Sequence, residues 1–307
     1  MFVLASYKNN LTMFRKCLFY LFVFLIYNVG QSQNQYEYAG AIVLNDSSST
    51  TYSYMVSLSE VSGAVSGYSI TNIGTEYETK TTVLGNYNKQ KKELTIGEGE
   101  IIYTKTPIHF DEESCFVNFS IKSFAFGKTK NAKGKFKGLS SDFKKCAEGE
   151  IFLNSIEKVE ARISKVVKKI YKSKRIADSV KQKINPLKML DSLRMNILRK
   201  NQTLSVFSKS EKVDLIIYDG GKVDGDKITI SVNGKVLVNQ YNANNTKKII
   251  SIDLVGAKTS IVIKANNEGL IAPNTIVVEL DDRRNHIKAL SNLKSGESTK
   301  IDILKKK

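Results

Sequence analysis

Apolar and polar residues alternate with a period of two through two long stretches of the chain, and between them the apolar repeat lengthens to about seven. From Tyr36 to Leu153 the alternating runs are "YEYAGAIVL", "TYSYMVSLS", "GAVSGYSIT", "YETKTTVLGNY", "KELTIGEGEIIYT", "CFVNFSIKSF", "AKGKFKGLS" and "GEIFL". Gly, Asn, Asp and Ser separate them, which predicts eight strands of an antiparallel all-β domain. Glycine recurs beside aromatics, as in Gly67-Tyr68 and "GKFKG", and this suits strands that bend around a small barrel.

At Ser155 the pattern switches. Ile156, Val159, Ile163, Val166, Ile170, Ala177, Val180, Ile184 and Leu187 follow a 3–4 spacing, with Ser173 as the one polar interruption. The spacing predicts a helix of about thirty residues, 156–184, with the Ile156/Val159/Ile163/Val166/Ile170 stripe buried. Asn185-Pro186 supplies a cap and a first-turn proline for a shorter helix through Met189, Leu190, Leu193 and Ile197. Period two then returns in "VDLIIYD", "DKITISV", "KVLVNQY", "KKIISIDL", "TSIVIKA", "NTIVVEL", "NHIKAL" and "TKIDIL". Eight short, evenly spaced strands point to a β-sandwich. Asn233-Gly234 joins the second and third of them as a hairpin, because both central positions of that turn need positive φ. The expected fold class is mainly β: an antiparallel β-barrel over 33–154, a basic amphipathic helical linker over 155–203 and a β-sandwich over 204–307.

The N-terminus sets the expected compartment. Arg15 and Lys16 precede the apolar run Cys17–Tyr27, and small residues follow at Gly30 and Ser32. This is the pattern of a Sec-type signal peptide over 1–32, and the run falls short of the ~20 residues of a spanning helix. Periplasm, cell surface or medium is then the destination. Of three cysteines, Cys115 and Cys146 lie beyond the leader. In an oxidising compartment such a pair is most simply a disulfide, which on the chain-entropy model stabilises the fold by roughly 3–4 kcal/mol. A nucleophilic Cys115 served by His109 is the functional alternative, and the partner cysteine argues against it.

The net charge of +17 is unevenly spread: residues 155–203 alone carry +10, while 33–154 sum to −1. The lysines and arginines of the middle segment lie mostly off its apolar stripe. That face is either simply solvated, its stripe packing on a neighbouring domain or second copy, or it docks an anionic envelope surface or a protein partner. Tyr171 is its lone aromatic, so no nucleic acid is expected as a partner.

The densest candidate chemistry is "YDGGKVDGDKITISVNGKVLV", Tyr218–Val238, where Asp219, Asp224 and Asp226 crowd with glycines before a strand. An EF-hand needs oxygen ligands at positions 1, 3 and 5 of its loop, and counting from Asp219 or from Asp224 does not supply them. Two readings stay open. The aspartates are turn formers that cap backbone amides, or they converge on calcium in another geometry, as weak extracellular sites do. This stretch, with "RKNQTLSV" and "NNEGLIAPNTIVVEL", resembles a C-terminal module that recurs in exported proteins of Gram-negative bacteria behind varied N-terminal parts. The likeness covers residues 199–307. It implies a β-sandwich and an accessory role, and no reaction. Relatives carry Asn after the first aspartate where this chain has Gly220. The rhythm of the first eight strands likewise resembles lipocalin-type and streptavidin-type meander barrels, which implies either one small apolar ligand or an interior filled by side chains.

Enzyme chemistry is short of parts. His109 and His286 are the only histidines, and H-E-x-x-H, G-x-S-x-G, phosphate-binding glycine loops and C-x-x-C pairs are missing from the sequence. A surface strand position explains His286 in "RRNHIKAL". The chain therefore reads as an exported, non-catalytic binding or accessory protein.

Overall fold

The computed structural model describes residues 34–107, 114–173, 175–178, 181, 195–220 and 223–306. The expected signal peptide, His109 and most of the expected second helix lie outside the described residues.

The first eight strands form where the alternation places them: β1 (Gln35–Leu44), β2 (Thr51–Val61), β3 (Ala64–Thr71), β4 (Thr79–Asn88), β5 (Glu93–Thr104), β6 (Phe116–Ile121), β7 (Asn131–Leu139) and β8 (Lys145–Ser155). Each pairs antiparallel with the next, and β8 closes on β1, from Tyr38↔Ser155 to Leu44↔Gly149, so the sheet is an eight-stranded barrel with no free edge along that seam. Inward positions fill its interior with Tyr38, Tyr54, Leu58, Phe119, Phe124 and Phe136 among others. A disulfide joins Cys115, just before β6, to Cys146 on β8, with Cα atoms 6.0 Å apart. It crosses over β7, and Gly138 makes the room: a Cβ there would lie 2.4 Å from the Cys115 sulfur.

A helix, α1 (Ile156–Lys172), follows β8 directly. It breaks at Ser173, short of the thirty residues expected, and helical backbone recurs at Asp178 and Lys181, where the Lys181 amide donates to the Ala177 carbonyl at 3.2 Å. The backbone turns extended at Ser173 (ψ 124°), and the Ser173 hydroxyl accepts a hydrogen bond from the Arg175 amide at 3.3 Å. A serine that bonds its own downstream backbone competes with the helix ladder, and here the local turn wins. The buried face also differs by one position. Ile156 and Val167 are buried and Val166 is 55 % exposed, so the stripe runs through Val167. The start of the helix leans on the outside of the barrel, where Ile156 and Val159 meet Ala39, Met55 and Ile70. Ile197, expected on a second helix, instead lies in a strand.

Among the described residues the C-terminal half has ten strands rather than the eight expected: β9 (Asn196–Leu198), β10 (Thr203–Ser208), β11 (Lys212–Asp219), β12 (Lys227–Val232), β13 (Lys235–Asn242), β14 (Lys248–Asp253), β15 (Lys258–Ala265), β16 (Ile276–Asp281), β17 (His286–Ser291) and β18 (Ser298–Lys305). Asn233 and Gly234 make the β12–β13 turn with φ of 50° and 83°, as that dipeptide predicts. Five strands form one sheet in the order β14-β11-β16-β17-β9; the other five, β13-β12-β15-β18-β10, continue the barrel sheet through β5. Strand β16 is central in the five-stranded sheet and is buried along nearly its whole length, which accounts for the consecutive apolar residues Ile276, Val277 and Val278. The inward faces of both sheets, with Leu215, Ile217, Ile230, Ile263, Val278 and Ile303, make one core that also takes in Ile102 and Tyr103 of β5. Residues Gln35–Lys307 thus form a single compact unit.

Candidate functional site

Two places concentrate chemistry. The first is the barrel wall where β5 and β6 part. Their ladder runs from Leu94↔Ile121 to Gly97↔Asn118 and stops; further on, Tyr103 and Thr104 of β5 pair instead with Val206 and Ser205 of β10. At the split, the next amide of β6 needs an acceptor, and Glu98 supplies it. Its Oε2 accepts from the Val117 N–H at 2.7 Å, while Oε1 accepts from the Tyr54 hydroxyl at 2.9 Å and the Ser69 hydroxyl at 2.6 Å. Burial pushes the Glu98 carboxyl above the ordinary glutamate range, although all three donors favour its charged form. Burial and the Glu98 charge together hold the Tyr54 phenol well above its usual value. A cavity of about 500 Å³ opens beside this group, lined by Ile42, Leu44, Ile101, Phe116 and Phe136 with Thr81 and Glu98 among its polar members.

The second place is the aspartate loop. Asp219 ends β11 on the inward side of the Val213, Leu215, Ile217 alternation, and Asp226 stands just before β12; both are buried, and Asp224 is half-buried. One carboxylate oxygen from each of the three lies within 4.8 Å of the other two. The segment from Gly269 to Thr275 closes over them. Asp224 accepts from the Ile271 amide at 2.7 Å through Oδ2, and its carbonyl accepts from the Leu270 amide at 3.0 Å. Asp226 accepts from the Thr275 amide at 2.8 Å through Oδ2. Gly269, with φ of 58°, presses against Asp224: a Cβ at that position would meet Oδ1 at 2.5 Å. The other oxygens, Oδ1 of Asp224 and Oδ1 of Asp226, are buried without a hydrogen-bond partner. Burial, then the charges of Asp224, Asp219 and Glu268, raise the Asp226 carboxyl to about 6 against the pull of the Thr275 amide.

Neither a family model, a curated protein nor a solved structure matches this chain. Sequence reasoning placed the three aspartates in one loop, and the structure brings them together. Cys115 and Cys146 are bonded, so neither is a free thiol. His286 begins β17 on the surface, with its ring nitrogens 3.7 and 3.8 Å from the carboxylates of Asp281 and Glu279.

Two features escaped the sequence reading. Glu98 shares a face with Leu94 and Ile96 by simple alternation, so a carboxylate at an inward strand position was there to be noticed. The other is the closing segment Gly269–Thr275, in which nothing local signals that its amides meet carboxylates more than forty residues upstream.

Proposed function

We propose that this chain is an exported, non-catalytic binding protein whose N-terminal barrel takes a small apolar ligand at the gap between β5 and β6. The C-terminal strands, read as a β-sandwich like the accessory module they resemble, hold that gap open by pairing β10 with the upper part of β5. The single observation that carries this reading is the cavity of about 500 Å³ beside Glu98. Its size falls in the range of small-molecule sites, and its lining joins aliphatic and aromatic walls to a polar side that includes Thr71, Asn72, Thr79, Thr81, Glu98 and Thr104. The rest of the barrel interior is packed with side chains, so the ligand occupies one end of the barrel and not its full length.

Titration with the neutral apolar fluorophore N-phenyl-1-naphthylamine tests this. Saturable uptake at one probe per chain is expected, with a loss of at least about tenfold in affinity for Leu44→Trp, which fills the cavity from its wall, at an unchanged melting temperature. Absence of saturable uptake by the wild type, or equal uptake by the filled variant, defeats the reading.

A further inference from the structure

The aspartate loop presents a problem of buried charge that the barrel reading does not touch. Three carboxylates come within reach of one point, two of them on residues with 3 % or less of their surface exposed. Asp224 and Asp226 each give one oxygen to a backbone amide of the closing segment and keep the other buried and unpaired. Leaving an acceptor buried without a donor is unfavourable, and the like charges of Asp224 and Asp226 add to it, so two such oxygens call for a donor or a cation. The neighbouring amide repeats the pattern. Asn274 is fully buried, donates through Nδ2 to the carbonyls of Lys227 and Asn267 at 3.2 and 3.1 Å, and leaves its own Oδ1 unpaired. It is held against the residue that follows Asp226 and precedes the residue whose amide binds Asp226.

We propose that Asp219, Asp224 and Asp226 form a calcium site, closed on one side by the segment Gly269–Thr275. The donor set is oxygen only, which selects a hard cation over zinc or copper. Carboxylates gathered from a strand end and an irregular loop suit the variable geometry of calcium better than the octahedron and retained waters that magnesium requires. The second oxygens of Asp224 and Asp226 are already fixed by amides of the closing segment, so those two carboxylates are oriented before the ion arrives. Binding would then tie the β11–β12 loop to the β15–β16 connection and stabilise the C-terminal half. An extracellular site of this type is filled at calcium concentrations of about 0.1–1 mM.

The decisive experiment is a calcium titration of the full chain after stripping with a chelator, followed by thermal melting and by calorimetric binding. One ion per chain is expected, with a rise in melting temperature of about 5–10 °C at 100 times Kd. Asp224→Asn and Asp226→Asn keep the hydrogen bonds from Ile271 and Thr275 but remove a ligand charge. Each should abolish the rise, while melting without metal at or above the stripped wild type because repulsion is relieved. Asp224 is half-buried, so its variant carries the test even if Asp226→Asn does not fold. No shift in the wild type at about 10 mM calcium overturns the site, since this exceeds the range of weak extracellular sites. An equal shift in wild type and variants places the ion elsewhere and overturns it too. A response to magnesium alone overturns the assignment to calcium. The fluorophore titration is independent of all these outcomes.

Discussion

Glu98 shows how a single residue can hold a gap in a sheet. Where β6 loses its neighbour, its Val117 amide would be left unsatisfied, and the carboxylate replaces the missing strand carbonyl. Keeping that carboxyl away from water raises its pKa, so between the ordinary glutamate range and the raised value the native state binds more protons than the unfolded chain. Stability is then highest below that window and falls as pH rises through it. Glu98→Gln should flatten this part of the stability–pH curve, because the amide can accept from Val117 and donate to the Tyr54 or Ser69 oxygen. Glu98→Leu leaves the Val117 N–H without its acceptor and should cost about 1–3 kcal/mol at neutral pH. Denaturant melts of the three proteins across the pH range measure both effects, and a Gln variant with an unchanged slope would assign the dependence to another group. The same residue marks how far alternation could be read. Its period places Glu98 inward, but the reason a carboxylate is tolerated there lies in the end of the β5–β6 ladder, which no local pattern records.

Among the elements, strands followed local pattern closely and the helix did not. Each of the eight barrel strands overlaps its predicted run, since a half-buried strand needs only alternation and turn residues at its ends, although β8 (Lys145–Ser155) extends well beyond "GEIFL". Strands β9 and β10 went unread because their partners are remote: β9 pairs parallel with β17 and β10 parallel with β18, so neither has the hairpin signal that identifies a neighbour. The helix shows why a seven-residue repeat misleads over a short span. A straight helix turns every 3.6 residues, so counting from Ile156 reaches about 163.2, 166.8 and 170.4, and the inward position at the third turn is Val167. The prediction is direct. Val167→Asp puts a charge at a buried position and should destabilise the protein by about 2–3 kcal/mol. Val166→Asp, on the exposed side, should change stability by less than about 0.5 kcal/mol. Comparable losses for both, measured by denaturant unfolding, would mean that the face carrying Val166 is covered, as it would be by a second copy or a partner.

For the whole molecule, the pattern along the chain suggests a barrel and a second domain in series, and the contacts join them into one body. The barrel sheet runs on through β5 into β10, and the C-terminal core takes in Ile102 and Tyr103 of β5. A buried ion pair locks the join. Lys105, just past β5, lies 3.7 Å from Glu78 and donates to the Ile197 carbonyl of β9 at 2.9 Å, while Glu78 also accepts from the Tyr103 hydroxyl at 3.0 Å and the Gly74 amide at 2.6 Å. Burial holds the Lys105 ammonium below the ordinary lysine range, against the attraction of Glu78. A pair this enclosed contributes little compared with an apolar replacement, yet removing one partner strands the other. Lys105→Ala should therefore cost about 3–5 kcal/mol, and Lys105→Met combined with Glu78→Gln should recover much of that loss. If the two halves share one sheet and one core, the loss should appear equally in both. Fluorescence of a tryptophan placed at Phe152 on the barrel and of one placed at Tyr241 on β13 should report the same unfolding midpoint, in the wild type and in the Lys105→Ala protein. Separate midpoints in the wild type would mean that the β5–β10 junction does not couple the halves, and the barrel gap would then have to be held open by the barrel alone.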